Sequence, residues 1–277
     1  MRSSLTLRRS LAALTLPLML GGLAACGADD EASPAASSSS ASESQDASAP
    51  EEGSEVDTAA FVDDLKAGLE ASTTAKMTMH MDVAGQGIHG EGDIDYTTDP
   101  PQMAMTMESP AMGEQPIDIR LVDNVMYVNM GQMSNDKFIK FDLSDPQSLP
   151  PGMDQVTEMM DPLAATESLG KGLTSVVFVG DEDVDGETLA HYEVAVDPSK
   201  IEQFQQLPGQ AQADVPETLD YDLWLDDENR MRKLDMTMDV GSSGKMAMEM
   251  ELSDWDEPVD IAAPPAGDVV DPSKLAG

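Results

Sequence analysis

Between Asp57 and Pro258, apolar and polar side chains alternate with a period of two along most of the chain. On a strand every second side chain shares a face, so such runs predict half-buried β-strands. In the first half they cover Lys76–Val83, Ile88–Tyr96, Gln102–Glu108, Ile117–Val122, Val125–Met130 and Phe138–Phe141. Ser175–Asp183, Thr188–Val196, Thr218–Leu225, Arg230–Val240 and Lys245–Leu252 follow in the second half. Between them stand Ala-Gly-Gln-Gly after Val83, Asp123-Asn124, Asp185-Gly186, Asp-Asp-Glu-Asn after Leu225 and Gly-Ser-Ser-Gly after Val240. This is turn chemistry, and it joins neighbouring strands as antiparallel hairpins.

Three stretches depart from that period. Asp57 can cap a helix running to about Ala71, with Phe61, Val62, Leu65 and Leu69 as one apolar stripe. Met153, Val156, Met159 and Leu163 recur at helical spacing, and Asp161-Pro162 suits a break between two short helices. Asp197-Pro198 opens a further connecting helix over SKIEQFQQL. A helix stripe must bury itself against something, and here the sheet is what the sequence offers. The expected class is α+β, a single antiparallel sheet of about ten strands with few helices.

The ends of the chain are of another kind. Arg2, Arg8 and Arg9 precede the uncharged apolar run Leu11–Leu20, which at about ten residues is too short to cross a bilayer and reads as a signal-peptide core. Leu23-Ala24-Ala25-Cys26 follows, with small residues before the only cysteine of the chain. That is what a lipoprotein signal peptidase needs to cleave ahead of a diacylglyceryl-modified cysteine, so residues 1–25 read as signal peptide and Cys26 as the lipidation site. Residues 26–56 then read as a Ser/Ala/acidic tether, too poor in large apolar side chains to offset the entropy of ordering. Residues 57–258 are the folded domain, and 259–277, with Pro264-Pro265, a flexible tail.

Charge narrows the partners. With 53 acidic residues against 15 basic ones, the formal net charge is −38. Nucleic acid is excluded as a partner, and an anionic membrane surface would repel the domain. Once Cys26 is acylated no thiol remains, so buried area alone must stabilise the fold. Aromatic residues make up only 4% of the chain, a sparse supply for a large core.

Methionine is used instead, at alternate positions. One face is expected to carry Met77, Met79, Met81 and Val83; Met103, Met105 and Met107; Leu234, Met236, Met238 and Val240; and Met246, Met248, Met250 and Leu252. Thioethers could be ligands for Cu(I). A copper site needs only three or four convergent ligands, however, and each stripe is completed by ordinary aliphatics, with no histidine or cysteine among them. A pliable apolar wall facing something irregular is the stronger reading, and no metal is assigned.

The remaining candidates for chemistry are weaker. Asp181–Gly186 matches the first half of a calcium loop, but Tyr192 stands where its bidentate Glu belongs, and a hairpin turning at Asp185-Gly186 explains the same residues. His80 and His89 fall on the polar face of two strands that should pair, without an obvious third ligand, and His191 has acidic neighbours. No nucleophile elbow, Cys-His pair or phosphate loop is present, so the chain does not read as an enzyme and needs no cofactor.

Three stretches carry a family likeness: IRLVDNVMYVNMGQMSNDKFIKFDLSD, SVVFVGDEDVDGETLAHYEVAVDPSKIEQF and YDLWLDDENRMRKLDMTM. Their order, a strand-turn-Tyr-Val unit, a hairpin between two glycines, a short helix and a Leu-Trp-Leu-Asp/Arg-x-Arg-x-Leu hairpin, resembles the LppX/LprG family of actinobacterial lipoproteins. The resemblance implies a strongly curved antiparallel half-barrel, similar to that of the LolA and LolB carriers, covered by helices and enclosing an apolar cavity for acyl chains. The methionine-rich lining and the acidity are this chain's own. A monomeric lipoprotein is therefore expected, anchored through Cys26 on the extracytoplasmic face of the cell membrane, that binds a lipid or glycolipid and carries it within the envelope. The alternative is an interaction or sensor lipoprotein with a solid core and an envelope protein partner.

Overall fold

The computed structural model describes residues 50–110, 115–145, 162–205, 215–239 and 244–271. Asp57 caps the first helix, α1 (Thr58–Ala71), by accepting from the amides of Ala59 and Ala60. The strands are β1 (Ser54–Glu55), β2 (Thr74–Val83), β3 (Gln86–Asp95), β4 (Gln102–Glu108), β5 (Ile117–Val122), β6 (Val125–Asn129) and β7 (Phe138–Asp142). Helix α2 (Pro162–Gly172) is followed by β8 (Leu173–Val184) and β9 (Glu187–Val196), and the short α3 (Glu202–Gln205) by β10 (Leu219–Leu225). The series ends with β11 (Met231–Asp239), β12 (Lys245–Ser253) and β13 (Val269–Val270).

All thirteen described strands join one sheet in the order β1-β8-β9-β10-β11-β12-β2-β3-β4-β5-β6-β7-β13. Two meanders, β2 to β7 and β8 to β12, lie side by side, zipped together where β12 pairs antiparallel with β2. Every other pairing is antiparallel too, except that β13 runs parallel to β7. The sheet is curved and open, with short edge strands, and does not close into a barrel.

Eleven of these strands are the ones the alternation predicts. The other two come from segments read as tether and tail. Gly53 N and Val56 N donate to Phe178 O and Val176 O at 2.8 and 2.9 Å, which draws Ser54–Glu55 into the sheet. Beyond Pro258 the chain is held as well: Arg120 bonds Ala262 O, Lys137 bonds Asp268 and Gly267 O, and Val269–Val270 pairs with Phe138–Ile139. A strand of two residues has no period, so composition alone misread both. The connecting helix expected after Asp197 is interrupted, a 3-10 turn at Pro198–Lys200 and then α3, with buried Ile201 between them, while residues 206–207 lie outside the described residues. Of the central helical stripe, Met153, Val156 and Met159 lie outside the described residues, and Leu163 on α2 is exposed.

The closest packing is at one side of the sheet. Phe61 and Val62 of α1 meet Val176, Val194, Val196, Leu219, Leu223 and Leu225 of β8, β9 and β10, and Leu169 of α2 packs against the same group. At one end of the sheet a polar clamp ties β2, the β10–β11 turn and the segment after β12 together. Buried Asp226 accepts from the amides of Glu228 and Arg230 and from Arg230 Nε at 2.8 Å, and Arg230 also reaches Asp256 at 3.0 Å. Bonds from the Thr73 amide and hydroxyl hold the Asp256 carboxyl below the usual carboxylate range. That tie is therefore complete above this range and loosens as acid protonates Asp256. Trp255 stacks on Tyr96, whose phenol burial pushes up to about 12.

Curvature has a local cause at Gly92 in β3. A Cβ there would lie 2.4 Å from Ala104 O and 2.9 Å from Met105 Cα, both backbone atoms of β4. Only glycine lets the two strands fold this tightly toward the Gly92 face. Gly92→Ala is expected to cost about 3 kcal/mol through overpacking, read as a lower midpoint in denaturant. An unchanged midpoint would mean that β3 and β4 can part without penalty.

Candidate functional site

Register places the described methionines of the strands on a single face. Across the strands from β10 to β5 one row reads Leu223, Leu234, Met250, Met79, Gly90, Met107 and Ile117. The row beside it reads Tyr221, Met236, Met248, Met81 and Ile88, and the next Met238, Met246 and Val83. On the other side Leu252, Met77, Gly92, Met105, Ile119 and Val128 align, followed by Ala75, Ile94, Met103, Leu121 and Met126. No charged residue stands in these rows. Val240, the remaining member of the expected wall, lies outside the described residues, as does Cys26.

Side-chain cover differs along this face. Under α1 and α2 it is sealed, with Val176 and Val196 wholly buried and Leu219 almost so. Near the opposite edge Leu121, Met126 and Ile139 are buried again. Between them Met79, Met81, Met103, Met105, Met107, Met238, Met246, Met248 and Met250 are only half-buried, while Met77, Met236 and Leu252 are buried. Gly90 of β3 shows how the wall is shaped. A Cβ at that position would touch Met79 Cε at 3.4 Å, Met105 Sδ at 3.6 Å and Met107 Cγ at 3.7 Å, so three thioether side chains from β2 and β4 converge over the missing side chain. Unbranched thioethers reshape at little cost, which a β-branched residue cannot do.

The polar rim of this face toward the helices carries phenols rather than charges. Tyr192 packs against Phe61 and Phe178 with ring centroids 5.0 and 5.4 Å away. Burial raises the pKa of Tyr192 and of Tyr221, which keeps both neutral. Sequence reasoning did not select these tyrosines; their alternation with Val194 and Leu223 was the available signal.

The opposite face takes the charge. Glu193, Asp222, Asp235 and Glu249 follow one another across β9 to β12, and His80 continues the row on β2. His191 is not merely near acidic residues. Its ring is buried, stacks on Trp224 at 4.4 Å, and lies 3.0 Å from Glu182 and 2.9 Å from Asp222. The bond from Trp224 Nε1, and then His191, hold the Glu182 carboxyl below its ordinary range. Asp185 and Gly186 both have positive φ and form the tight turn between β8 and β9, as the hairpin reading requires. His80 and His89 are direct neighbours across β2 and β3.

An open, curved sheet with one apolar face agrees with what comparison finds. Residues 57–261 match the LppX_LprAFG lipoprotein family. The chain belongs to that family. Among solved structures, the lipoprotein LppX of Mycobacterium tuberculosis is 15% identical over 74% of this chain and 98% of its own, with a TM-score of 0.49. LprF of Mycobacterium bovis is 12% identical over 76% of this chain and 97% of its own, with a TM-score of 0.50. At such identities the likeness to LprF speaks for the fold that LppX_LprAFG lipoproteins share. No curated protein matches the sequence. Membership implies association with the cell envelope, and no helix among the described residues is long and apolar enough to cross a membrane.

Proposed function

We propose that this LppX_LprAFG lipoprotein binds the acyl chains of a lipid or glycolipid on its methionine face and carries the lipid within the envelope, without catalysis or cofactor. The observation that supports this reading is the half-buried middle of the apolar face. It is continuous with a sealed core on either side, lacks charge, and is built from side chains that accommodate a flexible guest. Burying about ten methylenes at 0.8 kcal/mol each gains roughly 8 kcal/mol, which is the scale of micromolar affinity before association costs. Loading then needs no nucleotide. Residues 1–25 act as the signal peptide, acylated Cys26 as the anchor on the extracytoplasmic side of the cell membrane, and residues 26–56 chiefly as tether. The domain works as a monomer.

Native mass spectrometry of the purified chain, followed by solvent extraction and lipid analysis, tests this directly. A bound mass that extracts as lipid, beyond the anchor itself, is the expected result. Met79→Gln with Met107→Gln should reduce loading by about tenfold or more, since each buried amide would cost at least 1 kcal/mol, while the fold survives at these half-exposed positions. A chain that is well folded, empty, and takes up no lipid from vesicles would refute the carrier reading.

A further inference from the structure

On the face opposite the methionines, cross-strand register lines up Glu249, His80, His89 and Glu108 in one transverse row. The Nδ1 atoms of His80 and His89 are 3.3 Å apart, with ring centroids at 5.5 Å. Two imidazole nitrogens at this separation must share a proton or a cation, because two lone pairs facing each other repel. The separation also suits a metal. Two nitrogens 3.3 Å apart, each about 2.05 Å from one ion, subtend about 107° at it, close to the tetrahedral value.

We propose that His80 and His89 chelate a divalent transition-metal ion of the zinc or copper(II) type, with Glu108 as carboxylate ligand and water completing the shell. Imidazole with carboxylate suits these ions and disfavours calcium or magnesium. Glu108 is opposite His89 across β3 and β4, and both histidines and Glu108 line one open cleft of about 600 Å³ together with Gln115. Glu249 is the less available neighbour, since its carboxylate is 3.7 Å from Lys233 Nζ. No three ligands stand preassembled among the described residues, so the two histidines make the chelate and Glu108 swings in as the ion binds. As the metal enters, the donor ring gives up its Nδ1 proton to solvent while its Nε2 takes one up, so both Nδ1 lone pairs face the ion. A formal charge of −38 draws cations to the molecule, and the histidine pair decides which ion stays. The methionines face the other way and take no part.

The test uses the full chain carrying Cys26→Ser, which removes the thiol as a competing ligand, in about 0.15 M salt with excess Mg²⁺ to screen and occupy the carboxylates. Titration with ZnCl₂ by calorimetry should show one saturable equivalent. His80→Ala and His89→Ala should each weaken it by about tenfold or more, and Glu108→Gln by less. Nitrogen NMR of the unmutated histidines supplies a readout that does not depend on how the variants fold: zinc should shift His80 and His89 and leave His191 in place. Absence of a saturable equivalent, equal affinity in the His80→Ala/His89→Ala double variant, or shifts at all three histidines would overturn the proposal. Unchanged affinity in Glu108→Gln would overturn the assignment of the third ligand.

Discussion

Cys26→Ser is expected to abolish stable membrane attachment of this lipoprotein. The serine variant lacks the thiol proposed to receive the diacylglyceryl group, so it should be released or persist as an uncleaved precursor. The argument is one of chain number. A diacylglyceryl group supplies two long chains, and two chains are what durable anchoring requires, whereas a single one gives only reversible binding. Once the signal peptide is removed, residues 26–56 do not compensate, because they are acidic and an anionic surface repels them. The first helix begins only at Thr58, well after position 26 in the sequence, so lipid uptake by the released protein should be unchanged. Membrane fractionation beside lipid loading of the soluble variant separates anchoring from binding. A variant that stays as firmly bound as the parent after its signal peptide is gone would refute the anchor.

Phe61→Ala should be the most damaging single truncation in the domain. Phe61 is 2% exposed and is the largest of the fully buried side chains among the described residues, wedged from α1 onto β8, β9 and β10 with its ring 5.0 Å from Tyr192. Removing it leaves a cavity that the sheet cannot fill, at a cost of about 4 kcal/mol. In a domain of this size that is a fall in melting temperature of roughly 10 °C. Met105→Ala, at a half-exposed position, should cost far less. That contrast is the useful measurement, because a carrier's methionine wall is free to be loosely packed while the helix-covered side is not. Comparable losses at both sites would describe a uniformly solid core and favour an interaction scaffold over a carrier. Calorimetric melts of the two variants decide it.

The chain's local pattern was enough to specify most elements. Period-two alternation marks both faces of a strand without reference to its neighbours, so β2 to β12 were legible nearly to the residue, and Asp57, Asp123-Asn124 and Asp185-Gly186 marked the cap and the turns. The methionine stripes were equally visible, and the order of hairpins carried the family likeness.

What the sequence could not supply was everything set by pairing between distant segments. The β12–β2 zipper brings Met248 opposite Met81 and Met250 opposite Met79, and so makes one wall out of stripes from two meanders. The same zipper sets Glu249 beside His80, and the β3–β4 pairing sets Glu108 beside His89. The roles of Gly90 and Gly92 come from their neighbours: one is roofed by three methionines, the other pressed against the backbone of β4. His191 gained its meaning only from Trp224 on the adjacent strand and Glu182 across the hairpin. Ser54–Glu55 and Val269–Val270 become strands only because an edge of the sheet offers them hydrogen bonds. Alternation is a property of one strand and its two faces, whereas register is fixed by the packing of side chains that the chain brings together only on folding.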